Sequence, residues 1–242
     1  MPVAAEPLTL TPPFQVERAV MRQTWSDLTF LHWRYDPTVV RPLVPWELHL
    51  DLFDGAAWVG LVPFLVTGLT PPRWPALPWL SWFPETNVRT YVVDRAGRRG
   101  VWFFSLDAAR LAAVVGARAG YGLPYFWAKM RVGADSQRVL YRSKRRFLRG
   151  RSDIAIEKGE FIPEQSERDV FLTARFRLYT RWLGRIVCAR VEHPQWPLHT
   201  ARVARLEDSL VRAAGLPQPG GAPLAHFAPR VDVRVGLPEP VG

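Results

Sequence analysis

Short runs of bulky residues, separated by turn signals, recur along this whole sequence and favour strands over long helices. Bulky and β-branched side chains suit the pleated, half-buried surface of a sheet. Two of the turn signals, Asp54-Gly55 and Asp94-Arg95-Ala96-Gly97, are typical of hairpins between antiparallel strands. The sequence therefore predicts an α+β fold that is mostly β: an antiparallel sheet curled into a barrel, with a central cavity and a few accessory helices.

The individual elements follow from the same pattern. Strands are predicted over residues 27–35, 48–53, 56–66, 86–93, 99–104, 125–132, 139–143, 152–156, 170–180, 183–191 and 231–235. Helices are predicted over residues 38–43, 107–117 and 200–214, where apolar residues recur near helical spacing. Ser105 is predicted to cap the second helix, and Gly215 to end the third.

No linker divides the chain, because strand-type runs continue across its middle. With 242 residues, 48% of them apolar, and with 11 Trp and 13 Phe, the chain can bury one large aromatic core. We expect a single domain over residues 1–242, with a flexible arm over 1–15 and a Gly/Pro-rich surface segment over 216–229.

The chain is predicted to be cytoplasmic. Its one cysteine, Cys188, lies in a strand-type run and permits no internal disulfide, which suits a reducing compartment. Residues 1–13 lack the basic start and the apolar run of an export signal. The longest uncharged stretch, residues 55–72, is broken by glycines and prolines, so it favours a strand and a loop over a membrane span.

The net charge of +10 favours anionic partners. The densest basic patch holds Arg138, Arg142, Lys144, Arg145, Arg146, Arg149 and Arg151. It could be a nucleic-acid-binding stripe with Tyr141 and Phe147 as stacking groups, or a solvated hairpin with a charged turn near Gly150. The hairpin is favoured, since no helix-turn-helix, zinc-knuckle or aromatic RNA-binding pattern accompanies the charge.

Common catalytic motifs are missing from the sequence. It contains no nucleophile elbow, no phosphate-binding loop, no dinucleotide fingerprint and no zinc-protease helix. The histidines are scattered, at His32, His49, His193, His199 and His226, and match no common metal-ligand spacing. We therefore expect no metal site and no cofactor.

Three segments carry residues suited to chemistry. On a strand, Glu85, Asn87, Arg89 and Tyr91 would share one face, which could be either solvent-exposed or the lining of a polar cavity. Residues 117–125 join a helix to a strand. On the strand predicted over residues 125–132, one face would carry Tyr125, Trp127, Lys129 and Arg131. The loop 71–84, with Trp74, Trp79 and Trp82, could be a lid, touch a membrane interface or pack on the barrel.

Taken in order, these segments resemble the YqjF-like proteins, a bacterial family of unknown function. The resemblance runs from about Arg22 to Pro229 and rests on residues 27–33, 53–60, 85–91, 104–108, 123–125, 191–193 and 196–198. It implies an acetoacetate decarboxylase-like fold, a β-barrel-like domain with a central cavity.

Acetoacetate decarboxylases carry a Gly-Arg-Glu segment that is followed, after four residues, by Pro-Lys-Lys. Here Arg118, Gly122 and Pro124 resemble the arginine, glycine and proline of that segment, but Tyr125-Phe126 replaces the lysine pair. Glu85 stands at a place resembling an active-site glutamate. Because imine chemistry needs a lysine that is neutral near pH 7, the resemblance implies a kept scaffold and a lost nucleophile.

The sequence leaves two function classes open. In the favoured one, a pocket binds a small, anionic organic molecule, with or without converting it. Glu85 and Tyr125 would transfer protons there, and Lys129 would be a relocated nucleophile or a solvent-exposed residue. The ligand-binding candidates are Asn87, Arg89, Tyr91 and Arg118, with His32 and His193. The alternative is a basic surface-binding module for acidic lipid or nucleic acid. A homo-oligomer is compatible with both.

Overall fold

The structure, a computed structural model, describes residues 4–70 and 81–241. Within them the fold is mostly β, as predicted, with twelve strands in one sheet. The strands are β1 (Ala19–Tyr35), β2 (His49–Leu50), β3 (Ala57–Thr70), β4 (Trp82–Val93), β5 (Arg99–Ala108), β6 (Tyr125–Ala134), β7 (Arg138–Arg145), β8 (Arg151–Phe161), β9 (Arg177–Trp182), β10 (Arg185–Glu192), β11 (His199–Asp208) and β12 (Leu224–Pro240). The helices are α1 (Pro37–Val40), followed by a 3-10 turn (Arg41–Leu43), α2 (Leu111–Tyr121), α3 (Glu167–Thr173) and α4 (Leu210–Ala213).

The sheet is mixed, so the prediction of a purely antiparallel sheet is wrong. Strand β5 pairs antiparallel with β4 but parallel with both β6 and β9. Helix α2 lies between β5 and β6 in the chain, and a crossover of that kind lets the second strand run in the same direction as the first.

The strand pairings also form a closed circuit. From β5 they lead through β4, β3, β1, β12, β10 and β9 and return to β5. Each of these strands contributes residues to the lining of one internal cavity. The circuit therefore positions the candidate site.

Of the two predicted hairpins, the one at residues 94–97 is confirmed by the antiparallel pairing of β4 with β5. Asp54 and Gly55 do form a tight turn, with φ angles of 50° and 69°, and Phe53 and Ala56 bridge across it. However, β2, the strand before this turn, pairs with β4 and not with β3. The hairpin predicted there is wrong because the edge of β4 competes for the same strand.

The helix predicted over residues 200–214 is also wrong: most of that segment is β11, paired with β8. Val203 lies opposite Ile156 and Leu206 opposite Ile154, with a register shift after Val203. The extra residue of this bulge keeps both apolar side chains on one face although they are three positions apart. Their spacing therefore imitates a helix in the sequence.

The middle helix begins later than predicted because β5 extends to Ala108. Ser105 is a buried strand residue and not the predicted helix cap; Arg110 precedes α2. The strand predicted over residues 170–180 is split into α3 and β9. Ser166 and Asp169 form a capping box that starts α3, with the Asp169 backbone N–H bonded to the Ser166 side chain.

Both ends of the described chain contact the body of the fold. The side chain of Glu6 pairs with Arg177, and its backbone carbonyl accepts a hydrogen bond of 2.7 Å from Arg99. Residues 224–229, predicted to be surface, begin β12, and His226 and Phe227 are buried there. Among the described helices, none has the length and apolar character needed to cross a membrane. The single domain and the mobility of residues 1–15 stay predictions.

Candidate functional site

A cavity of about 410 Å³ lies inside the circuit of strands. Apolar side chains form most of its surface, among them Leu28, Phe64 and Phe83. Against this apolar surface, β4 contributes Glu85, Asn87 and Arg89 from alternate positions. The polar face predicted for this strand thus lies in the interior.

Glu85 and Tyr125 form a hydrogen-bonded pair in the cavity. The Tyr125 hydroxyl donates to Oε2 of Glu85 at 2.9 Å. Burial raises the pKa of Glu85 to about 8, an effect that the Tyr125 hydrogen bond opposes and the charge of Asp107 increases. Burial, together with Glu85, also raises the pKa of Tyr125 well above its usual value. Near neutral pH the carboxyl and the phenol therefore both hold their protons most of the time.

Arg89 is a buried cation without a counter-ion. It is 9% exposed, and among the described residues no carboxylate lies within ion-pairing distance of its guanidinium. Nη2 donates to the backbone carbonyl of Leu172 at 3.3 Å, and the guanidinium carbon lies 5.4 Å from the centre of the Phe30 ring. Nε has no hydrogen-bond partner in the described structure. A buried charge without an anionic partner is costly, so this position calls for a functional explanation.

Three further cavity-lining atoms are buried without a partner among the described residues: Oδ1 of Asn87, Nη2 of Arg175 and Nε1 of Trp25. The other donors of Arg175 are used. Nη1 bonds to Asp51 at 2.8 Å, and Nε bonds to the carbonyl of Phe171 at 2.9 Å. Four of the eleven such atoms among the described residues thus belong to the lining of this one cavity, where a bound ligand could satisfy them.

His193 also lines the cavity, as a neutral imidazole. Burial lowers its pKa to about 4, although hydrogen bonds to backbone groups oppose this shift. Nδ1 lies 2.7 Å from the carbonyl of Pro194 and donates to it, and the ring packs against Phe176 and Trp196 at centroid distances of 4.8 and 4.7 Å. His193 therefore contributes shape and polarity to the cavity, and no charge.

Tyr91 and His32, which the sequence grouped with the ligand-binding residues, lie behind the cavity and do not line it. The Tyr91 hydroxyl donates to the carbonyl of Leu172 at 2.6 Å and lies 2.6 Å from Nε2 of His32. Because that hydroxyl has one proton, Nε2 of His32 is the donor between them. Burial, followed by the charge of Arg89, keeps the pKa of His32 well below its usual value. Both residues support the β4 face from within the core.

Arg118 and Lys129 are exposed and lie outside the cavity. Arg118, on α2, donates from Nε to the backbone carbonyl of Tyr125 at 2.7 Å, so it positions the tyrosine from the outside. Lys129 lies on the outer face of β6, opposite Lys144. Lys129 therefore lies outside the cavity, and its role as a relocated nucleophile stays a prediction. All three lysines of the chain are in its described part, and none of them lines the cavity.

The model of the DUF2071 family, described as an uncharacterized conserved protein, matches residues 22–232. The chain belongs to this family. It is 37% identical over 217 residues to the uncharacterized protein YqjF of Bacillus subtilis, a match that covers 88% of this chain and 89% of the relative. The resemblance stated from the sequence is thereby confirmed.

Solved structures similar to this DUF2071 member have the acetoacetate decarboxylase-like fold. An acetoacetate decarboxylase from Legionella pneumophila matches with a TM-score of 0.66 at 14% identity, over 95% of this chain and 90% of that one. An acetoacetate decarboxylase-like enzyme from Sphingomonas wittichii matches with the same score and identity, over the whole of both chains. The enduracididine biosynthesis enzyme MppR, in complex with pyruvate, matches at 0.64 with 11% identity, over 93% and 91%. At these identities the likeness shows the fold alone.

Several residues of the DUF2071 cavity were not predicted from the sequence, among them Trp25, Arg175 and Trp196. Arg175 stands between the mainly apolar residues 170–174 and Phe176, and an arginine among such neighbours is the signal that could have identified it. Trp196 belongs to a segment that carried the family resemblance, but nothing in its pattern shows that it lines a cavity.

Tyr141 and Trp82 are aromatic residues for which the sequence left more than one role open. Tyr141, one of the two predicted stacking groups for nucleic acid, is buried and bonded to Thr29 at 2.8 Å. It cannot contact a base. Of the loop 71–84, residues 71–80 lie outside the described residues, while Trp82 begins β4 with half of its surface exposed.

Proposed function

We propose that this DUF2071 protein binds a small organic anion in the cavity, with the circuit of strands acting as a barrel around it. The observation that carries the proposal is Arg89, a buried guanidinium with no carboxylate in ion-pairing range among the described residues. A carboxylate ligand would supply the missing charge and accept a hydrogen bond from Nε. Nη2 of Arg175 is a second unused donor on the same cavity.

The rest of the ligand is proposed to be apolar. Apolar groups form most of the lining, and a volume of about 410 Å³ lies within the range of small-molecule sites. Trp25, Phe64 and Trp196 offer aromatic surfaces, and the free carbonyl of Asn87 would accept a hydrogen bond from a hydroxyl or amide on the ligand. That MppR, a protein of similar fold, was solved with pyruvate supports the idea that this fold accommodates a carboxylate.

The Glu85–Tyr125 pair would act on the ligand through its protons. With a pKa of about 8, the Glu85 carboxyl is poised to donate a proton near neutral pH and to take one back. Tyr125 would hold the carboxyl in place through its 2.9 Å hydrogen bond. Since no lysine lines the cavity, the proposed chemistry, where there is any, is proton transfer without an imine.

Binding is tested through the tryptophans that line the cavity. Intrinsic fluorescence of the purified protein would be titrated with a series of acids from pyruvate to phenylpyruvate and decanoate, each compared with its uncharged amide. We expect at least one acid to bind, and to bind at least about tenfold more tightly than its amide, because an unpaired buried charge strongly disfavours the neutral analogue.

The decisive variant is Arg89→Gln, which should lose this preference for acid over amide. Arg131→Gln is the matched control, because it removes the same charge from an exposed position on the outer part of β6. Equal binding of acids and amides, or unchanged binding by Arg89→Gln, would rule the proposal out.

A further inference from the structure

A row of three cations crosses the outer face of the sheet, and none of the three lines the cavity. In the antiparallel register of β6, β7 and β8, Lys129 lies opposite Lys144, and Lys144 lies opposite Arg151. All three side chains are exposed, and none has a carboxylate within ion-pairing distance among the described residues. Like charges placed directly opposite one another destabilise a sheet. The row of three cations therefore does not stabilise the sheet.

In the neighbouring rows of the same face, two carboxylates partly neutralise four arginines. Arg142 pairs with Asp153 at 3.2 Å, and Arg138 pairs with Glu157 at 3.0 Å. Across on β11, Arg205 and Arg202 share the same two carboxylates. One further acid, Glu207, lies opposite Asp153 at the edge of the groove beside the cation row. The row of Lys129, Lys144 and Arg151, with the exposed Arg131 beside it on β6, therefore has no carboxylate partner among the described residues and leaves positive charge on this face.

The turn between β7 and β8 has an apolar tip, formed by Phe147 and Leu148, next to these cations. Phe147 is 83% exposed and Leu148 is 60% exposed, and Arg146 and Arg149 flank them. The turn is held in place: the Arg146 backbone N–H bonds to the carbonyl of Trp127 at 3.1 Å, and its guanidinium lies 4.2 Å from the centre of the Trp127 ring. Two large apolar side chains are thus presented to solvent on a supported turn, between arginines.

We infer that this face docks on the surface of an anionic lipid bilayer. Phe147 and Leu148 would enter the interface between headgroups and acyl chains, and the cation row, with Arg146 and Arg149, would meet the lipid phosphates and carboxylates. The charge complementarity is direct, since the row lacks internal carboxylates and an anionic leaflet supplies them. The inference is independent of the ligand proposed for the cavity.

The same observations favour lipid over nucleic acid. A strand-face platform for single-stranded nucleic acid needs aromatic rings on which successive bases stack. Here Tyr141 on β7 is buried, the half-buried Trp127 ring on β6 packs against Arg146 and Phe147, and the apolar tip pairs Phe147 with an aliphatic residue. A leucine side chain cannot stack on a base as an aromatic ring does, whereas it partitions favourably into lipid acyl chains.

Vesicle sedimentation with the full chain tests the inference. We expect binding to mixed phosphatidylserine–phosphatidylcholine vesicles, no measurable binding to pure phosphatidylcholine, and a steep loss as salt is added. The double variant Phe147→Ser/Leu148→Ser should weaken binding to the mixed vesicles at least about tenfold. Leu183→Ser is its control, because Leu183 is 85% exposed on a different turn, between β9 and β10, and should change nothing.

Charge is tested separately with Lys129→Gln/Lys144→Gln, which we expect to weaken vesicle binding at least about fivefold. Arg190→Gln/Arg230→Gln removes the same net charge from exposed positions on β10 and β12 and should leave binding nearly unchanged. All these positions are exposed, so thermal unfolding should be unaltered. Equal binding to both kinds of vesicle, or full binding by the turn variant, would overturn the inference. Tighter binding to a single-stranded oligonucleotide that survives the turn variant would replace lipid with nucleic acid.

Discussion

Strands β4 and β6 each carry polar side chains at alternate positions, yet the structure places the two rows in different surroundings. On β4, Glu85, Asn87 and Arg89 all line the cavity. On β6 the row begins in the cavity with Tyr125 and continues into solvent with Lys129 and Arg131. The first strand lies within the closed circuit of pairings, whereas the second leaves β5 after three paired residues and continues alongside β7.

The difference shows that alternation along a strand identifies which residues share a face but not what that face contacts. A lysine four positions beyond a cavity tyrosine, on the same side of the same strand, is exposed because the strand has left the interior by then. The two strands also show that buried and exposed charges have different requirements. A buried charge demands a specific partner, while an exposed charge demands none and is available to a broad surface.

The largest expected effect comes from breaking a buried ion pair at the point where β6 leaves β5. Asp107 accepts a 2.9 Å hydrogen bond from Nε of Arg145, and both side chains are almost fully buried. Asp107→Ala should lower the free energy of unfolding by about 3–5 kcal/mol, because it leaves Arg145 buried and unpaired. Asp153→Ala, which breaks exposed pairs on the same sheet, should cost about 0–1 kcal/mol in urea unfolding. Similar losses in both variants would contradict the distinction between the two regions.

The second test uses pH. Because burial raises the pKa of Glu85 to about 8 in the folded chain, the folded state holds this proton between about pH 4.5 and 8, where the unfolded chain has lost it. The contribution of the Glu85 carboxyl to the free energy of unfolding is therefore fully present below about pH 4.5 and is lost as the pH rises through 8. The stability of the wild type relative to Glu85→Gln should thus fall by up to about 1.4 kcal/mol per pH unit in that window. Unfolding curves of both proteins at several pH values measure this slope, and a flat difference would show that Glu85 is ionised in the fold.

The third test compares two arginines of the cavity. Arg89→Met should change the free energy of unfolding by less than about 1 kcal/mol or increase it, because the variant removes a buried, uncompensated charge. The carbonyl of Leu172, which Arg89 contacts, keeps its hydrogen bond from Tyr91. Arg175→Met should lose about 2 kcal/mol or more, since Arg175 is paired with Asp51 and bonded to the Phe171 carbonyl. If Arg89→Met were the more damaging change, Arg89 would be a structural residue.

The smallest effect is expected at Lys129. Lys129→Gln should leave stability within about 0.5 kcal/mol of the wild type, because the side chain is exposed and lies opposite another lysine. It should not alter ligand binding in the cavity. Borohydride reduction in the presence of β-keto acids, followed by peptide mass spectrometry, should find no selective adduct on Lys129. A selective adduct there would show that β6 presents its lysine to the cavity after all.

Much of the candidate site was predictable from sequence. Four of the predicted residues, Glu85, Asn87, Arg89 and Tyr125, line the cavity together with His193, and the first three follow from period-two alternation on one strand. Arg175 was missed because a helix, α3, interrupts the segment in which a single strand was predicted. Arg118 was placed in the site by its resemblance to a motif, and it reaches the site only through the backbone of Tyr125.

The sequence by itself determined the family, the dominance of strands and the faces that alternate residues share, because these follow from local periodicity and from motifs that are contiguous in the chain. Tertiary structure decided which faces became interior. Val203 and Leu206 show the reason at one scale, since a bulge opposite β8 turned helical spacing into a strand. Lys129 shows it at another: whether a strand face meets a cavity or water depends on which strands pair beside it, and pairing between distant segments is not written in the local pattern.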